Sequence, residues 1–455
     1  MERYEKYKPT GIDWLGEIPI KWDAIRLKFL LERNDGGVWG DDYDGIEENA
    51  TKVFRSTEIN VDGSWNLNEE PALRLLSAQE KTKALLKEGD LLVTKSSGSQ
   101  LHIGKTALVT KDIEELECCF SNFMQRLRPK NKKVAQYLHI FLNSQLSRDQ
   151  YNYQSNSTTG LANLSAGLLA DVIIPTPLPD EQNAIAAYLD EKTAQIDKLI
   201  ANKQTLIELL KEERTAIINQ AVTKGINPEV KLKPSGVDWL GNIPAHWKVK
   251  RLKYLIKKGR SSIKTGPFGS QIRNSDLVIE GPFKVYNQRN VLDNDFDKGE
   301  DFIEENKFDD LKDFEVFERD VLFTTRGTIG KCAIFPSGKQ RGVLHPCLIR
   351  VQFDDSKVDK EWIRLFVNQS SLFLENVMLL SNSTTIEVIY SYNLKEVYIP
   401  LPETIKEQND ILTQIEVETR RLDATISKIE KEIELLQEYR TALISEVVKG
   451  KIKVM

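Results

Sequence analysis

Two long stretches of the chain carry apolar residues at a seven-residue spacing. In the stretch from about 406 to 449, this seam consists of Ile415, Leu422, Ile429, Leu436 and Leu443. In the stretch from about 180 to 223, the equivalent positions are Leu189, Ile196, Lys203, Leu210 and Ile217. Neither stretch contains proline or glycine, and such heptads are typical of coiled-coil helices. The pattern therefore predicts two helices of roughly 65 Å each, at about 1.5 Å per residue.

Both predicted helices are bounded by start and stop signals. Prolines precede each stretch, and a glycine follows each one, at Gly225 and Gly450. Because a whole domain lies between the two helices, we expect them to pair antiparallel. Arg214 and Arg440 fall on the apolar seam, where a register-setting contact with the partner helix is favoured over a contact with DNA.

Outside these helices, the hydrophobic pattern predicts a mixture of strands and shorter helices. Residues 90–94 and 320–324 are expected to be strands, and residues 134–143 and 360–368 helices. The predicted fold class is α+β, with two similar domains separated by two long antiparallel coiled-coil helices and an internal pseudo-two-fold repeat. The expected segments alternate between a domain and a helix, with boundaries at 1–178, 179–225, 226–403 and 404–455.

The two halves of the chain repeat one sequence pattern at an offset of 225 or 226 residues. Residues 8–30 and 233–255 share two tryptophans, a proline and an Arg-Leu-Lys triplet. The sequence SNSTT occurs at 155–159 and again at 381–385. A repeat of nearly half the chain is far longer than a solenoid unit, so it predicts two copies of one module.

Between the matching segments, the two halves diverge. Residues 31–86 barely match residues 256–317. Residues 89–109 and 319–335 share the frame Asp–hydrophobic–Leu…Ile-Gly-Lys…Ala, but the first copy contains four extra residues. A common frame with different loops suggests the same task performed on different targets.

The charge of the 455-residue chain is unevenly distributed, although its total is −5. Asp293–Asp320 contains 13 acidic and 4 basic residues, whereas Lys248–Lys264 contains eight basic residues and no acidic one. Local charge decides whether phosphate can bind, so the negative total does not exclude nucleic acid as a partner.

Several classes of function are disfavoured by the composition. The 4 cysteines and 4 histidines show no spacing typical of a zinc site or a disulfide framework. No run of about 18 apolar residues exists, and the first residues are polar and charged rather than typical of a signal peptide. We therefore expect a cytoplasmic protein without a membrane span, a metal site or a disulfide.

The motifs of nucleotide, calcium and methyl-transfer chemistry are incomplete. The Gly-Lys-Thr at 104–106 lacks the first glycine of a phosphate-binding loop, so a tight turn with its lysine at a surface is favoured. Asp293, Asp295, Asp297 and Glu304 match positions of a calcium loop whose required glycine is missing, so a solvated acidic loop is favoured. No methyltransferase, helicase or nuclease motif is present. The sequence therefore predicts no catalytic centre.

Polar and basic residues on the diverged loops are the candidates for DNA contact. Arginine and lysine can bond guanine edges, asparagine and glutamine adenine edges, and hydroxyls phosphate oxygens. In the first half these candidates are Lys95, Ser96, Ser99, Gln100, His102, Lys105, Asn156 and Thr158. In the second half they are Gln271, Arg273, Gln288, Arg289, Thr325, Arg326, Thr328, Lys331, Asn382 and Thr384. An ordinary polar surface is the alternative for each loop, and a helix cap or turn is the alternative for the two SNSTT segments.

The long helices carry more apolar residues than one seam can bury. The excess residues chosen as a candidate docking surface are Leu206, Leu209, Ile218, Leu412, Leu435 and Ile444. This excess predicts that a further helical partner packs against the pair. The alternative is that these residues only stabilise the pair itself.

A known family shares this arrangement of motifs. An entry motif of the form IP-x-P…EQ-x-x-I precedes each helix. In the first half it consists of Pro175, Pro177, Glu181, Gln182 and Ile185, and in the second of Pro400, Pro402, Glu407, Gln408 and Ile411. Gly11–Gly16 and Gly236–Gly241 carry a DWLG-type signature, and Asp320–Lys331 is similar to a strand–turn motif GDILFTRSGTIGK. The chain resembles the specificity subunit of Type I restriction–modification enzymes.

This resemblance implies a protein without activity of its own that binds double-stranded DNA. Each variable domain would recognise one part of a split, asymmetric sequence, and the helices would set the unread spacer. Two modification subunits would dock on the helices and methylate adenine with S-adenosylmethionine. Restriction subunits that use ATP and Mg²⁺ would join them, so no cofactor is expected in this chain. A coiled-coil scaffold without sequence-specific DNA binding is the alternative, and an NTPase or nuclease is the second one.

Overall fold

The computed structural model describes residues 2–43, 45, 50–68, 70–97, 102–155, 163–259, 261–381 and 388–454. The chain forms two compact units. One consists of Met1–Lys203 with Glu430–Met455, and the other of Gln204–Ile429. Each unit therefore contains one of the two sequence repeats and part of each long helix.

In the described residues, the first unit contains the strands β1 Tyr7–Pro9, β2 Glu17–Pro19, β3 Asp23–Arg26, β4 Leu31–Gly36, β5 Asp41–Asp42, β6 Thr51–Phe54, β7 Ala72–Leu75, β8 Leu91–Thr94, β9 Thr106–Leu108, β10 Cys119–Phe120, β11 Met124–Pro129 and β12 Ile173–Thr176. Its short helices are α1 Ala78–Ala84, α2 Lys111–Glu114, α3 Ala135–Asn143, α4 Gln145–Ser155 and α5 Ala166–Asp171. The first long helix, α6, spans Pro179–Lys224. The predicted strand at 90–94 and helix at 134–143 are present.

The second unit contains the strands β13 Leu232–Pro234, β14 Asn242–Pro244, β15 Lys248–Arg251, β16 Ile263–Thr265, β17 Phe283–Tyr286, β18 Phe302–Ile303, β19 Val321–Thr324, β20 Cys332–Ile334, β21 Gly342–Leu344, β22 Leu348–Val351 and β23 Tyr398–Leu401. Its short helices are α7 Gln288–Asp293, α8 Glu305–Asp310, α9 Lys360–Gln369, α10 Leu372–Ser381 and α11 Ser391–Glu396. The second long helix, α12, spans Ile405–Val448. The predicted strand at 320–324 and helix at 360–368 are present here too.

An antiparallel four-stranded sheet recurs in the two units. Its strand order is β4-β11-β8-β9 in the first unit and β16-β22-β19-β20 in the second. A second sheet differs, with four strands in the order β10-β6-β7-β5 in the first unit and three in the order β18-β17-β21 in the second. The recurring sheet lies under the diverged loops, and β8 and β19 lead directly into them. The structure therefore supports the prediction of a shared frame with different loops.

The long helices run in opposite directions within each unit. In the first unit, Lys203 contacts Glu432 at 2.5 Å, and Arg440 contacts Asp197 at 2.9 Å. In the second unit, Arg214 Nε lies 3.0 Å from the carboxylate of Asp423. The two seam arginines thus bond acidic residues of the opposite helix, which agrees with a register-setting role.

The repeated motifs join each N-terminal segment to the start of a long helix. The indole of Trp22 donates to Glu181 at 2.8 Å, and the indole of Trp247 donates to Glu407 at the same distance. Gly450 ends the second helix at φ +69°, and a Cβ there would lie 2.4 Å from Pro19. Only glycine fits such a close approach in the left-handed region. These repeated residues therefore have a structural role in both units.

Much of the basic segment 248–264 is neutralised by acidic residues from distant parts of the chain. Arg251 and Lys253 both contact Glu396, at 2.6 and 2.7 Å. Lys248 contacts Glu403 at 2.9 Å, and Lys264 lies 3.3 Å from Asp313. Arg26 and Lys28 contact Asp171 in the same way in the first unit. The basic segment consequently offers less positive charge to phosphate than its sequence suggests.

Candidate nucleic-acid interface

The residue that follows β8 in the first unit and the residue that follows β19 in the second are held in the same way. After β8, the backbone N–H of Lys95 donates to Phe123 O at 3.0 Å. After β19, the backbone N–H and hydroxyl of Thr325 donate to Cys347 O at 3.0 and 2.9 Å. The diverged loops therefore start from equivalent, fixed backbone positions at the end of each sheet.

In the second unit, three loops meet at this end of the sheet. The Gln288 amide donates to Thr328 O at 3.1 Å, which joins the start of α7 to the loop after β19. The guanidinium of Arg326 lies 5.9 Å from the ring centroid of Phe268, on the loop after β16. Arg326, Thr328 and Arg289 are exposed, and Gln288 is half-buried. The structure thus brings four of the predicted DNA-contacting residues together on one polar, cationic surface.

The structure contradicts the assignment of Thr325 to this surface, and it gives Lys331 a structural contact. Thr325 is buried, and its hydroxyl is used in the bond to Cys347. The amine of Lys331 donates to the carbonyl of Asn368 at the end of α9, at 3.0 Å. The glycine before Lys331 has a left-handed backbone conformation, at φ +69°, and a Cβ there would lie 2.3 Å from Leu374.

Lys105, which is equivalent to Lys331 in the first repeat, was also assigned wrongly. It is buried, and its amine contacts the carbonyls of Ser56 and Ile59. Burial lowers the pKa of this amine, because desolvation disfavours its charged form. The prediction of a lysine that points at a surface therefore fails, and so does its role as a DNA contact.

The first unit presents a smaller set of described candidates. Lys95 and Ser96 are half-buried, and the Ser96 hydroxyl donates to the Asn163 side chain at 2.9 Å. His102 Nδ1 lies 3.3 Å from the Lys105 amine. Other predicted residues lie outside the described part of the chain: Ser99, Gln100, Asn156, Thr158, Asn382 and Thr384.

Gln271 and Arg273 occupy tight turns beside the loop after β16. The Gln271 side chain accepts a hydrogen bond from the backbone N–H of Phe268 at 2.9 Å. Arg273 is exposed, and its backbone N–H donates to Asp276 at 2.8 Å. Gln271 therefore shapes the loop, while the Arg273 side chain remains a candidate for phosphate contact.

Two aspartates of the acidic segment form ion pairs with lysines. Asp297 contacts Lys339, and Asp293 contacts Lys298. No group of three or more histidine, cysteine, aspartate or glutamate residues that could hold a metal ion occurs in the described ranges. Two of the four residues that match a calcium loop thus pair with lysines, and Asp295 accepts the backbone N–H of Asp297 at 3.0 Å.

Only part of the predicted docking surface is exposed. Leu206, Leu209 and Leu435 lie on the surface of the long helices, with 43%, 55% and 51% of their areas exposed. Ile218 is 0% exposed and belongs to the core of the second unit, so its assignment was wrong. Leu412 and Ile444 are partly buried and pack against the cores of their units. The helix ends are covered by the domains, which heptad periodicity alone does not reveal.

Sequence reasoning missed two exposed phenylalanines at the ends of the sheets. Phe268 is 48% exposed, and Phe123, which receives the Lys95 bond, is 57% exposed. Both rings are apolar, so a pattern of polar and charged residues does not indicate them. The available signal for Phe268 is its position in the Gly-Pro-Phe-Gly sequence at 266–269, because glycine and proline favour a turn and connecting loops run over the protein surface.

The fold and the two loop clusters define a protein with two related domains that present different surfaces on one frame. A family model described as the Type I restriction modification DNA specificity domain matches residues 47–211 and 244–435. The chain therefore belongs to this family, and the resemblance inferred from the repeated motifs is confirmed. It is a DNA specificity subunit, and specificity subunits of Type I systems are non-catalytic.

Curated relatives and solved structures agree with this assignment. The chain is 22% identical to the Type I restriction enzyme MjaVIII specificity subunit of Methanocaldococcus jannaschii, over 96% of this chain and 94% of that protein. It is 25% identical to the EcoKI specificity subunit of Escherichia coli, over 76% of this chain and 70% of that protein.

Among solved structures, a chain from work on complex assembly and conformational transition of the type I R-M system superposes with a TM-score of 0.68. Its identity is 15%, and the match covers 96% of this chain and 99% of that one. The HsdS subunit from Thermoanaerobacter tengcongensis superposes at 0.55 with 16% identity, over 96% and 98% of the two chains. At these identities, the likeness concerns the fold. None of the helices in the described residues combines the length and apolar character needed to cross a membrane.

Proposed function

We propose that each unit recognises one part of a split, asymmetric DNA sequence and that the chain directs modification subunits to it. The observation that carries this proposal is the recurring sheet, which ends in equivalent backbone positions but carries different side chains. Arg326 follows the held residue in the second unit, whereas Ser96 stands at that place in the first. Different side chains at equivalent positions of the recurring sheet favour two domains that recognise different DNA sequences.

In the second unit, Arg326, Gln288, Arg289 and Thr328 are our candidates for direct contact with DNA. In the described residues, Arg326 has no carboxylate partner, so its N–H groups are available to a guanine edge or a phosphate. In the first unit, Lys95, Ser96 and His102 are the described candidates. A scaffold without sequence-specific binding would not need an unpaired arginine held at this position.

The long helices are proposed to act as an antiparallel coiled coil that sets the spacer and docks two modification subunits. Leu206 and Leu209 on α6 and Leu435 on α12 supply exposed apolar area for such docking. S-adenosylmethionine would belong to the modification subunits, and ATP and Mg²⁺ to restriction subunits. The complex would operate in the cytoplasm, on double-stranded DNA.

Reconstitution with modification subunits tests this function directly. The chain is combined with its modification subunits, and the methylated adenines of a random DNA library are mapped. We expect methylation at a two-part sequence with a constant spacer, and no sequence-dependent methylation without this chain. Methylation that depends on this chain but follows no two-part sequence would contradict the proposal.

The Arg326→Ala substitution tests whether this surface of the second unit recognises DNA. We expect it to cost roughly 1–3 kcal/mol of discrimination at one base pair of the second half-site and to leave the first half-site unchanged. Arg341→Ala is the matched control, because that guanidinium already bonds Glu315 at 2.9 Å. An unchanged methylation pattern with Arg326→Ala would remove this residue from the interface.

A further inference from the structure

The Phe268 ring is held at the surface by a rigid loop. The N–H of Gly266 donates to Leu348 O at 2.9 Å, and a Cβ at Gly266 would lie 2.2 Å from the carbonyl oxygen of His345. The backbone N–H of Phe268 donates to the side chain of Gln271 at 2.9 Å. The loop is thus packed closely on one side and closed by a side chain on the other. Its exposed ring has a defined position, which an ordinary flexible surface loop would not give it.

Arg326 lies against this ring, at 5.9 Å from its centroid. Stacking on an aromatic face holds a planar guanidinium while its edge N–H groups stay available. Arg341 shows the contrasting case in the same unit, since it lies 5.0 Å from the Phe308 ring but bonds Glu315. In the described residues Arg326 bonds no such carboxylate, so only the ring restrains its charged end.

The backbone on both sides of Arg326 is also fixed. The preceding residue, Thr325, is buried and bonded to Cys347, and Arg326 itself forms an isolated β-bridge with Val388. After Arg326, the carbonyl of Thr328 accepts the Gln288 amide. The backbone contacts therefore fix where the Arg326 side chain starts, and the contact with Phe268 restrains where its guanidinium lies.

We propose that Phe268 is a positioning residue for Arg326 and so determines specificity for one base pair of the second half-site. The ring restricts the rotamers of the arginine and presents the edge of its guanidinium to DNA, where the bidentate pairing geometry points to guanine. This inference rests on the proposed function. It adds an apolar residue to a surface otherwise defined by polar groups.

The test compares Phe268→Ala, Phe268→Leu and Phe268→Tyr in the reconstituted complex with modification subunits. Methylation rates are measured on duplexes in which each base pair of the second half-site is varied in turn. We expect Phe268→Ala and Phe268→Leu to reduce discrimination about 2- to 5-fold at the position affected by Arg326→Ala, the size of an exposed cation–π contact. Phe268→Tyr retains an aromatic face and should preserve discrimination.

The double variant Phe268→Ala with Arg326→Ala separates positioning from direct contact. If Phe268 acts through Arg326, the double variant should discriminate no worse than Arg326→Ala alone. Additive losses, a loss at a different base pair, or normal discrimination by Phe268→Leu would each overturn the inference. If the unsubstituted complex shows no preference in the second half-site, the proposed function itself fails, which is a different result.

Discussion

The Ile-Gly-Lys sequence occurs once in each repeat, and its lysine amine bonds backbone carbonyls in both units. Lys105 contacts the carbonyls of Ser56 and Ile59, and Lys331 contacts that of Asn368. The residues that differ between the repeats at the strand ends, Ser96 and Arg326, face outwards to a greater degree. At the residue scale, the residues that are identical in the two repeats therefore support the fold. The residues that differ at the strand ends form the surface proposed to recognise DNA.

This distinction predicts the effect of Lys105→Met. Removing the amine takes its hydrogen bonds from the buried carbonyl of Ile59 and the half-buried carbonyl of Ser56, so the free energy of unfolding should fall by about 1–3 kcal/mol. Urea unfolding of the two proteins measures this difference, and the methylation pattern of the folded variant should be unchanged. Lys95→Met is the control, since its half-buried side chain should change stability by under about 0.5 kcal/mol. Equal stability of Lys105→Met and the unsubstituted protein would contradict the structural role.

The sequence could predict which loops diverge, but not which of their side chains are buried. Thr325, Arg326 and Lys331 are all polar residues near one strand end. Only the folded structure shows that Thr325 and Lys331 bond backbone carbonyls while Arg326 is exposed. The basic segment 248–264 was overestimated because its partners, Glu396 and Glu403, lie about 150 residues away in sequence. Long-range ion pairs of this kind leave no local signal.

At the scale of elements, the long helices were the best-predicted part of the molecule. The heptads and the bounding prolines and glycines placed them within about two residues of α6 and α12. The heptads did not predict what covers the apolar residues outside the seam. Near its C-terminal end, α6 contributes Ile218 and Val222 to a domain core, so extra apolar residues there serve the domain. Nearer the middle of α6, Leu209 is 55% exposed and has no such cover in the described residues.

Leu209→Asp and Leu435→Asp test whether the exposed leucines form a docking surface. Both side chains are about half exposed, so the aspartates should leave helicity nearly unchanged while assembly with modification subunits is lost. Circular dichroism measures helicity, and size-exclusion chromatography measures assembly. Ile218→Asp is the contrasting variant, because a charge in that fully buried position should unfold the second unit. Normal assembly of both leucine variants would show that the docking surface lies elsewhere.

At the scale of the whole molecule, each compact unit combines one repeat with segments of both long helices. The boundaries fall after Lys203 in α6 and after Ile429 in α12. Because the helices pair antiparallel within each unit, these two points are opposed in the pair: Lys203 contacts Glu432, just beyond the second boundary. Residues added at both points would therefore lengthen the two helices together without shifting the pairing inside either unit.

Insertion of one heptad at each of these points tests whether the helices set the spacer. Seven residues add roughly 10 Å of helix, which corresponds to about three base pairs at about 3.4 Å each. We expect the spacer between the half-sites to grow by about that amount while both half-sites stay the same, as measured by mapping methylated adenines. Insertion into one helix alone should disturb the pairing marked by Lys203–Glu432 and Arg214–Asp423, and so abolish methylation instead of moving it. An unchanged spacer with the double insertion would mean that another part of the complex fixes the distance.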